Sequence, residues 1–187
     1  MKTTQATSRR AAQGALAVAL CATALTAVAE DRTAVSRGAY LVQAMGCADC
    51  HTPWKMGPNG PAPDMAQGLS GHPASMPLPP APAAQGPWIA GSAATNTAFW
   101  GPWGVSYASN LTPDSETGIG TWRAEDFVGT LRNGKHLGVG RPLQPPMPWP
   151  AFARLNDADL KAIFAYLKSQ PAMKNKVPAN AAPTTTP

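Results

Sequence analysis

The sequence predicts an all-α domain in which a few short helices are joined by long loops. Three segments space their apolar residues as helices do, and no segment alternates apolar and polar residues as a half-buried strand does. The chain has 187 residues, of which 44% are hydrophobic. This length and composition suffice for one hydrophobic core, so we expect one compact domain with loose ends.

Residues 1–29 are predicted to form a secretory signal peptide. Lys2, Arg9 and Arg10 precede an apolar run that lacks acidic residues and ends in Ala-Val-Ala, a sequence typical of a cleavage site. The mature chain would then begin near Glu30. A retained anchor helix is the alternative, although the apolar run is short for a membrane span.

Removal of this leader changes the charge of the chain from +5 to +2, because 15 − 3 = 12 basic side chains then face 10 acidic ones. The remaining basic residues are scattered along the sequence, which does not favour nucleic-acid binding. Cys21 lies within the leader and follows Leu20, where a lipoprotein would have a small residue. We therefore assign Cys21 no function.

The first predicted helix covers residues 34–45, and an irregular loop insertion is predicted at about residues 54–108. The insertion is rich in proline and glycine, which disfavour regular helices. It also contains aromatic residues, so we expect much of it to pack on the domain. The apolar residues of the helix are Val35, Tyr40, Leu41, Val42 and Met45, and the aromatic residues of the insertion are Trp54, Trp88, Phe99, Trp100, Trp103 and Tyr107.

Two further helices are predicted towards the end of the chain. The first follows Thr121 and ends at Gly134, a typical C-terminal cap, and the second begins after Asn156 and ends before Pro171. Residues 171–187 are polar and rich in proline, and we expect them to be disordered. The apolar faces consist of Trp122, Phe127, Val128 and Leu131 in the first of these helices, and of Leu160, Ile163, Phe164 and Leu167 in the second.

The sequence Cys47-Ala48-Asp49-Cys50-His51 carries the strongest functional signal. On a helix, side chains at i, i+3 and i+4 face the same side. In an exported chain, C-x-x-C-H is the attachment signal for c-type haem, in which the thiols bond the two vinyl groups and the imidazole ligates the iron. A disulfide, a thioredoxin-like redox pair and a zinc site are the alternatives; the zinc site would need more ligands, and His72 and His136 are far apart in sequence.

The sixth iron ligand is predicted to be Met147. It lies in the proline-rich segment 145–150, whose limited backbone freedom lowers the entropy that a weak thioether ligand loses on binding. Met147 as a core residue beneath the last helix is the alternative. Lys135, His136 and Arg141 are candidates for contacts with the haem propionates, with solvated loop charges as an equal alternative.

Four segments of the chain resemble the single-haem class I type of cytochrome c, in particular the haem domains in cytochrome subunits of bacterial membrane dehydrogenases. They are GCADCHTP at 46–53, NLTPDSETGIGTW at 110–122, EDFVGTLRNGKH at 125–136 and PPMPWPAFARLNDADLKAIFAYLKS at 145–169. The resemblance implies a class I cytochrome c-like fold over residues 30–170, built around one covalently bound haem c. It also implies that the first helix crosses the last, with Gly38 and Tyr40 meeting Phe164, Tyr166 or Leu167.

An iron with both axial positions occupied by protein side chains has no open site for a substrate, so we expect an electron carrier rather than an enzyme. The predicted function is that of a periplasmic cytochrome, without transmembrane anchorage of its own. It would accept single electrons from a dehydrogenase or quinol-oxidising complex and pass them to a terminal acceptor such as an oxidase. The alternatives are a permanently bound cytochrome subunit of a membrane dehydrogenase and a haem enzyme or sensor with a labile sixth ligand.

Overall fold

The computed structural model describes residues 31–83 and 86–183, which contain five α-helices and two 3-10 turns. The predicted leader lies outside the described residues. The 3-10 turns cover Met65–Gln67 and His136–Gly138. The helices are α1 over residues 31–44, α2 over Cys47–His51, α3 over Ala124–Asn133, α4 over Trp149–Phe152 and α5 over Asp157–Ser169.

The insertion contains two antiparallel sheets, so the prediction of an all-α fold is wrong. The strands are β1 over Trp54–Gly57, β2 over Gly60–Pro63, β3 over Gly91–Ser92, β4 over Ala98–Gly101 and β5 over Gly104–Tyr107. A hairpin pairs β1 with β2, and a three-stranded sheet has the order β3-β4-β5. Both sheets lie in the segment predicted to be an irregular loop.

The composition of these strands explains why their sequence shows no strand signal. None is longer than four residues. In β5 burial does alternate, but the buried positions are Gly104 and Ser106 rather than large apolar residues. Gly104 has a φ of 95°, which a residue with a side chain rarely adopts, and it allows the tight turn from β4.

The hydrophobic core lies between α1, α3 and α5, as the apolar faces of these helices predict. In α5 the residues Leu160, Ile163 and Leu167 are at most 4% exposed. Phe127 of α3 and Phe164 of α5 pack with their ring centroids 5.5 Å apart. The predicted caps are also present: Asn156 accepts a hydrogen bond from the Asp159 amide at the start of α5, and Gly134 ends α3 in a left-handed conformation.

Helix α1 crosses α5 at Gly38. A Cβ atom on Gly38 would overlap the carbonyl oxygen of Ala162 and lie 2.7 Å from the Cβ of Tyr166. The expected contact between Gly38 and Tyr166 is therefore present. Tyr40 does not enter the core, because it is 61% exposed and its ring lies 5.6 Å from the Arg37 guanidinium.

Replacing Gly38 by alanine is expected to lower the free energy of unfolding by roughly 3 kcal/mol, the upper end of the range for overpacking. The added methyl group meets backbone, so the two helices must separate. Denaturant titration would measure the loss. Gly129→Ala in α3 is the control, since its Cβ would lie 3.4 Å from Gly138 Cα and its helix propensity would rise. Equal denaturation midpoints for Gly38→Ala and the unmodified protein would contradict the close crossing.

Residues 171–183 belong to the segment for which the sequence predicts disorder, and in the structure they lie along the insertion. Asn175 donates through its side-chain amide to the carbonyl oxygens of Ser70 and His72, at 2.7 and 2.9 Å. Val105 and Ala181 exchange two backbone hydrogen bonds of 2.9 Å each. We call residues 171–183 the C-terminal strap, because these contacts tie them to the insertion at two separate points.

Candidate haem-binding site

A cavity of about 320 Å³ opens between α2, α3, α5, strand β5 and the loop that precedes α4. Cys47, Cys50, His51 and Met147, the four predicted site residues, all line it. Much of the remaining wall is apolar, with side chains from both α3 and α5. The large apolar residues of the wall include Trp122, Phe127, Leu131, Phe152, Ile163 and Leu167.

Helix α2 presents both cysteines and His51 to the cavity. It is one turn long and begins after Gly46, whose φ of 67° lets the chain bend sharply out of α1. Cys47 and Cys50 are free thiols. Burial raises the pKa of Cys47 to about 11 and also raises the pKa of Cys50, so both thiols are protonated at neutral pH.

The imidazole of His51 is oriented by a hydrogen bond to the backbone. Its Nδ1 donates to the carbonyl oxygen of Ser109 at 2.8 Å, and the side chain is buried. Burial lowers the pKa of His51, which keeps the ring neutral. A neutral ring with its proton on Nδ1 has a lone pair on Nε2, the form in which histidine binds a metal.

Met147 reaches the cavity from the proline-rich loop before α4. Its backbone amide donates to the carbonyl oxygen of Gln144, and Ser106 of β5 donates to the carbonyl oxygen of Pro145 at 2.5 Å. The loop is thus held against the three-stranded sheet. The Pro145-Pro146 peptide bond is cis. The Met147 side chain is half-buried and packs against the core.

The family model for cytochrome c matches residues 35–171. The chain belongs to the cytochrome c family. This match confirms the predicted resemblance and, at the level of the family, the predicted electron-transfer role. The lining of the cavity is compatible with this family: two thiols and an imidazole lie on one turn, a thioether comes from another segment and much of the wall is apolar, which suits a covalent haem c with histidine and methionine ligands.

The relatives of this cytochrome c include cytochrome subunits of dehydrogenases. This chain is 32% identical to the cytochrome c subunit of alcohol dehydrogenase (quinone) from Gluconobacter oxydans, over 79% of this chain and 24% of that protein. With the fructose dehydrogenase cytochrome subunit of Gluconobacter japonicus the identity is 31%, over 82% and 26% of the two chains. With the gluconate 2-dehydrogenase cytochrome c subunit of Pantoea cypripedii it is 32%, over 81% and 27%. The chain thus spans about a quarter of the length of each of these relatives.

Most of the other methionines in the described part of the chain lie away from the cavity. Met56, Met65 and Met76 are 79%, 74% and 43% exposed, and neither they nor Met173 lines the cavity. Met45 does line it, but it lies in the turn between α1 and α2, on the side of the cysteines. Among the methionines that line the cavity, Met147 is therefore the one from a segment remote from α2.

The two remaining histidines differ in their relation to the cavity. His72 is fully buried away from it; its Nε2 donates to the carbonyl oxygen of Met76, and its Nδ1 lies 3.0 Å from the Thr97 hydroxyl. His136 lines the cavity and packs edge-on against Trp122, with ring centroids 5.1 Å apart. Burial, together with the charge of Arg141, lowers the pKa of His136.

Two of the three residues predicted to contact the haem propionates line the cavity. His136 and Arg141 line the cavity, and Lys135 does not, although Arg141 and Lys135 are both exposed. Gln144 and Asn180 also line it, and the sequence contains no signal that points to them. Asn180 lies in the polar segment after the last helix and belongs to no recognisable motif, so only its position in the folded chain identifies it.

Proposed function

We propose that this chain carries single electrons through one haem c, bound covalently to Cys47 and Cys50, with His51 and Met147 as axial ligands. One observation carries the proposal: these four residues, from two segments about one hundred positions apart, line one cavity. A bound haem supplies an iron that alternates between the ferric and ferrous states.

The residues around the cavity would determine how such an iron behaves. The backbone carbonyl of Ser109 holds the His51 ring in one orientation, and the apolar wall from α3 and α5 would keep water away from the porphyrin. A thioether ligand and an apolar environment both favour the ferrous state and raise the reduction potential. With both axial positions occupied, no site remains for a substrate, so we propose electron transfer without catalysis.

We propose that the protein works in the periplasm, as the predicted leader indicates. Its electron donor would be a dehydrogenase or a quinol-oxidising complex, and its acceptor a terminal oxidase or a similar protein. The names of the relatives, which are cytochrome subunits of dehydrogenases, support the dehydrogenase as a partner. Within residues 31–83 and 86–183, no helix has the length and hydrophobicity needed to span a membrane.

A permanently bound cytochrome subunit is the second candidate. Trp88 and Ile89, next to β3, are 75% and 59% exposed, and large apolar residues on the surface favour contact with another protein. Purification of the tagged full-length chain from its native host distinguishes the two. Recovery in a fixed ratio with a dehydrogenase would support the subunit, and recovery alone would support the mobile carrier.

The direct test of the proposed function uses the full-length protein, produced in a bacterium that attaches haem c. We expect a red protein with one haem per chain, whose mass includes the tetrapyrrole after denaturation. Its spectrum should change reversibly between a ferric and a ferrous form on oxidation and reduction. A colourless protein of unmodified mass would contradict the proposal.

A further inference from the structure

We infer that Asn180 of the C-terminal strap, together with Arg141, binds the carboxylate edge of the haem and so makes the strap part of the cofactor site. This inference rests on the proposed function, because it requires the haem to be attached at α2. It adds to the site a third segment of chain, beyond the two segments that attach the haem and ligate its iron.

The chemistry of haem c determines where its carboxylates lie. The two thioether bonds form at one edge of the porphyrin, and the two propionates extend from another. A propionate that enters a partly apolar cavity needs hydrogen-bond donors or a cation, because an unpaired charge is costly to bury. The protein should therefore provide donors away from α2.

Several polar side chains of the cavity already have partners within the protein. Ser106 donates to the Pro145 carbonyl, Thr130 to the Asp126 carbonyl and Asn110 to the Met173 carbonyl. These groups hold the walls of the cavity together, and they have little capacity left for a ligand.

Other donors of the cavity have no acceptor among the described residues. They include the side chains of His136, Arg141 and Gln144 and the amide Nδ2 of Asn180, whose Oδ1 accepts from the Tyr107 amide at 3.1 Å. None of the described residues that line the cavity is Asp or Glu. A cation and several donors without any carboxylate form a site that suits an anionic ligand.

The segments that carry these donors adjoin one another. The His136 amide donates to the Arg141 carbonyl at 2.9 Å, and Gln144 follows three residues later. The loop then passes Pro145, whose carbonyl accepts from Ser106. Ser106 precedes Tyr107, whose amide donates to Asn180, so the segments that carry the donors follow one continuous rim of the cavity.

The strap holds Asn180 in place without a contribution from the cofactor. The next residue, Ala181, pairs with Val105 through two hydrogen bonds. It lies so close to β5 that a Cβ atom on Gly104 would overlap its carbonyl oxygen. Asn180 is therefore preorganised, and a ligand would lose little affinity to side-chain ordering.

The test compares midpoint potentials of the purified holoprotein at low ionic strength, where charges are weakly screened. Asn180→Asp keeps an oxygen that accepts the hydrogen bond from the Tyr107 amide. It replaces the Nδ2 donor with a negatively charged oxygen. Its control, Ala179→Asp, adds the same charge at the preceding, exposed position. Arg141→Gln removes a cation from the rim, and Arg154→Gln removes one from a site that is equally classed as exposed but does not line the cavity.

We expect Asn180→Asp to shift the midpoint to lower potential several times further than Ala179→Asp, because negative charge near the haem favours the ferric state and this effect falls with distance. Arg141→Gln should likewise shift it further down than Arg154→Gln. Equal shifts within either pair, in proteins with covalent haem and unchanged low-spin spectra, would overturn the inference. Absence of covalent haem from the unmodified protein would instead contradict the proposed function.

Discussion

Replacing Cys47 and Cys50 together by alanine is expected to yield a protein that retains no haem after denaturation. Each thiol of α2 would form one thioether bond, so the double variant has no covalent link to the cofactor, and only the axial ligands remain to bind it. Mass spectrometry and haem staining after denaturing electrophoresis measure this loss directly. Each single variant should keep one thioether and therefore retain haem in smaller yield.

The control for the cysteine variants is Asp49→Ala in the same turn. Asp49 is exposed and lies between the two thiols, so its replacement alters α2 without removing a bonding group. Haem content should then equal that of the unmodified protein. If the double cysteine variant kept haem through denaturation, the proposed attachment at α2 would be rejected.

Replacing Met147 by alanine is expected to convert the iron from six-coordinate low spin to predominantly high spin. The variant has no thioether to occupy the sixth position, so small ligands such as imidazole should now bind there. Its reduction potential should also fall, because the thioether favours the ferrous state. Optical and electron paramagnetic resonance spectra of the purified holoprotein measure the change of spin state.

Met65→Ala is the matched control, because Met65 is 74% exposed and does not line the cavity. Its spectra should be unchanged. Unchanged low-spin spectra in Met147→Ala would reject Met147 as a ligand and direct attention to Met45 and His136, which also line the cavity. If the unmodified protein itself bound imidazole readily, a sensor or enzyme with a labile sixth ligand would be favoured over a carrier.

The helices of the core were predictable because their signal is local. In α5 the apolar residues recur at helical spacing, and the same residues are buried in the structure. Asn156 marks the start of α5 through its side-chain oxygen, and Gly134 marks the end of α3 through its left-handed backbone. Both residue types can be read directly from the sequence. Such features depend on residues within a few positions of each other.

The two sheets of the insertion were not predictable in this way. Strand pairing joins segments whose partners the sequence does not name, and strands of two to four residues are too short for an alternating pattern. The buried positions of β5 are occupied by Gly104 and Ser106, so burial there is unrelated to hydrophobicity. The position of the C-terminal strap was unpredictable for the same reason, because its polar residue Asn175 is held by hydrogen bonds to carbonyl groups that are distant in the sequence.

The sequence by itself determined that this chain has a C-x-x-C-H turn typical of haem attachment and three amphipathic helices, because both are properties of short stretches of residues. Only the tertiary structure decided which side chains share the cavity: it includes Met147 and Asn180 and excludes His72 and Lys135. The reason is physical. A binding site requires groups from remote segments to meet, and their meeting depends on how the whole chain packs.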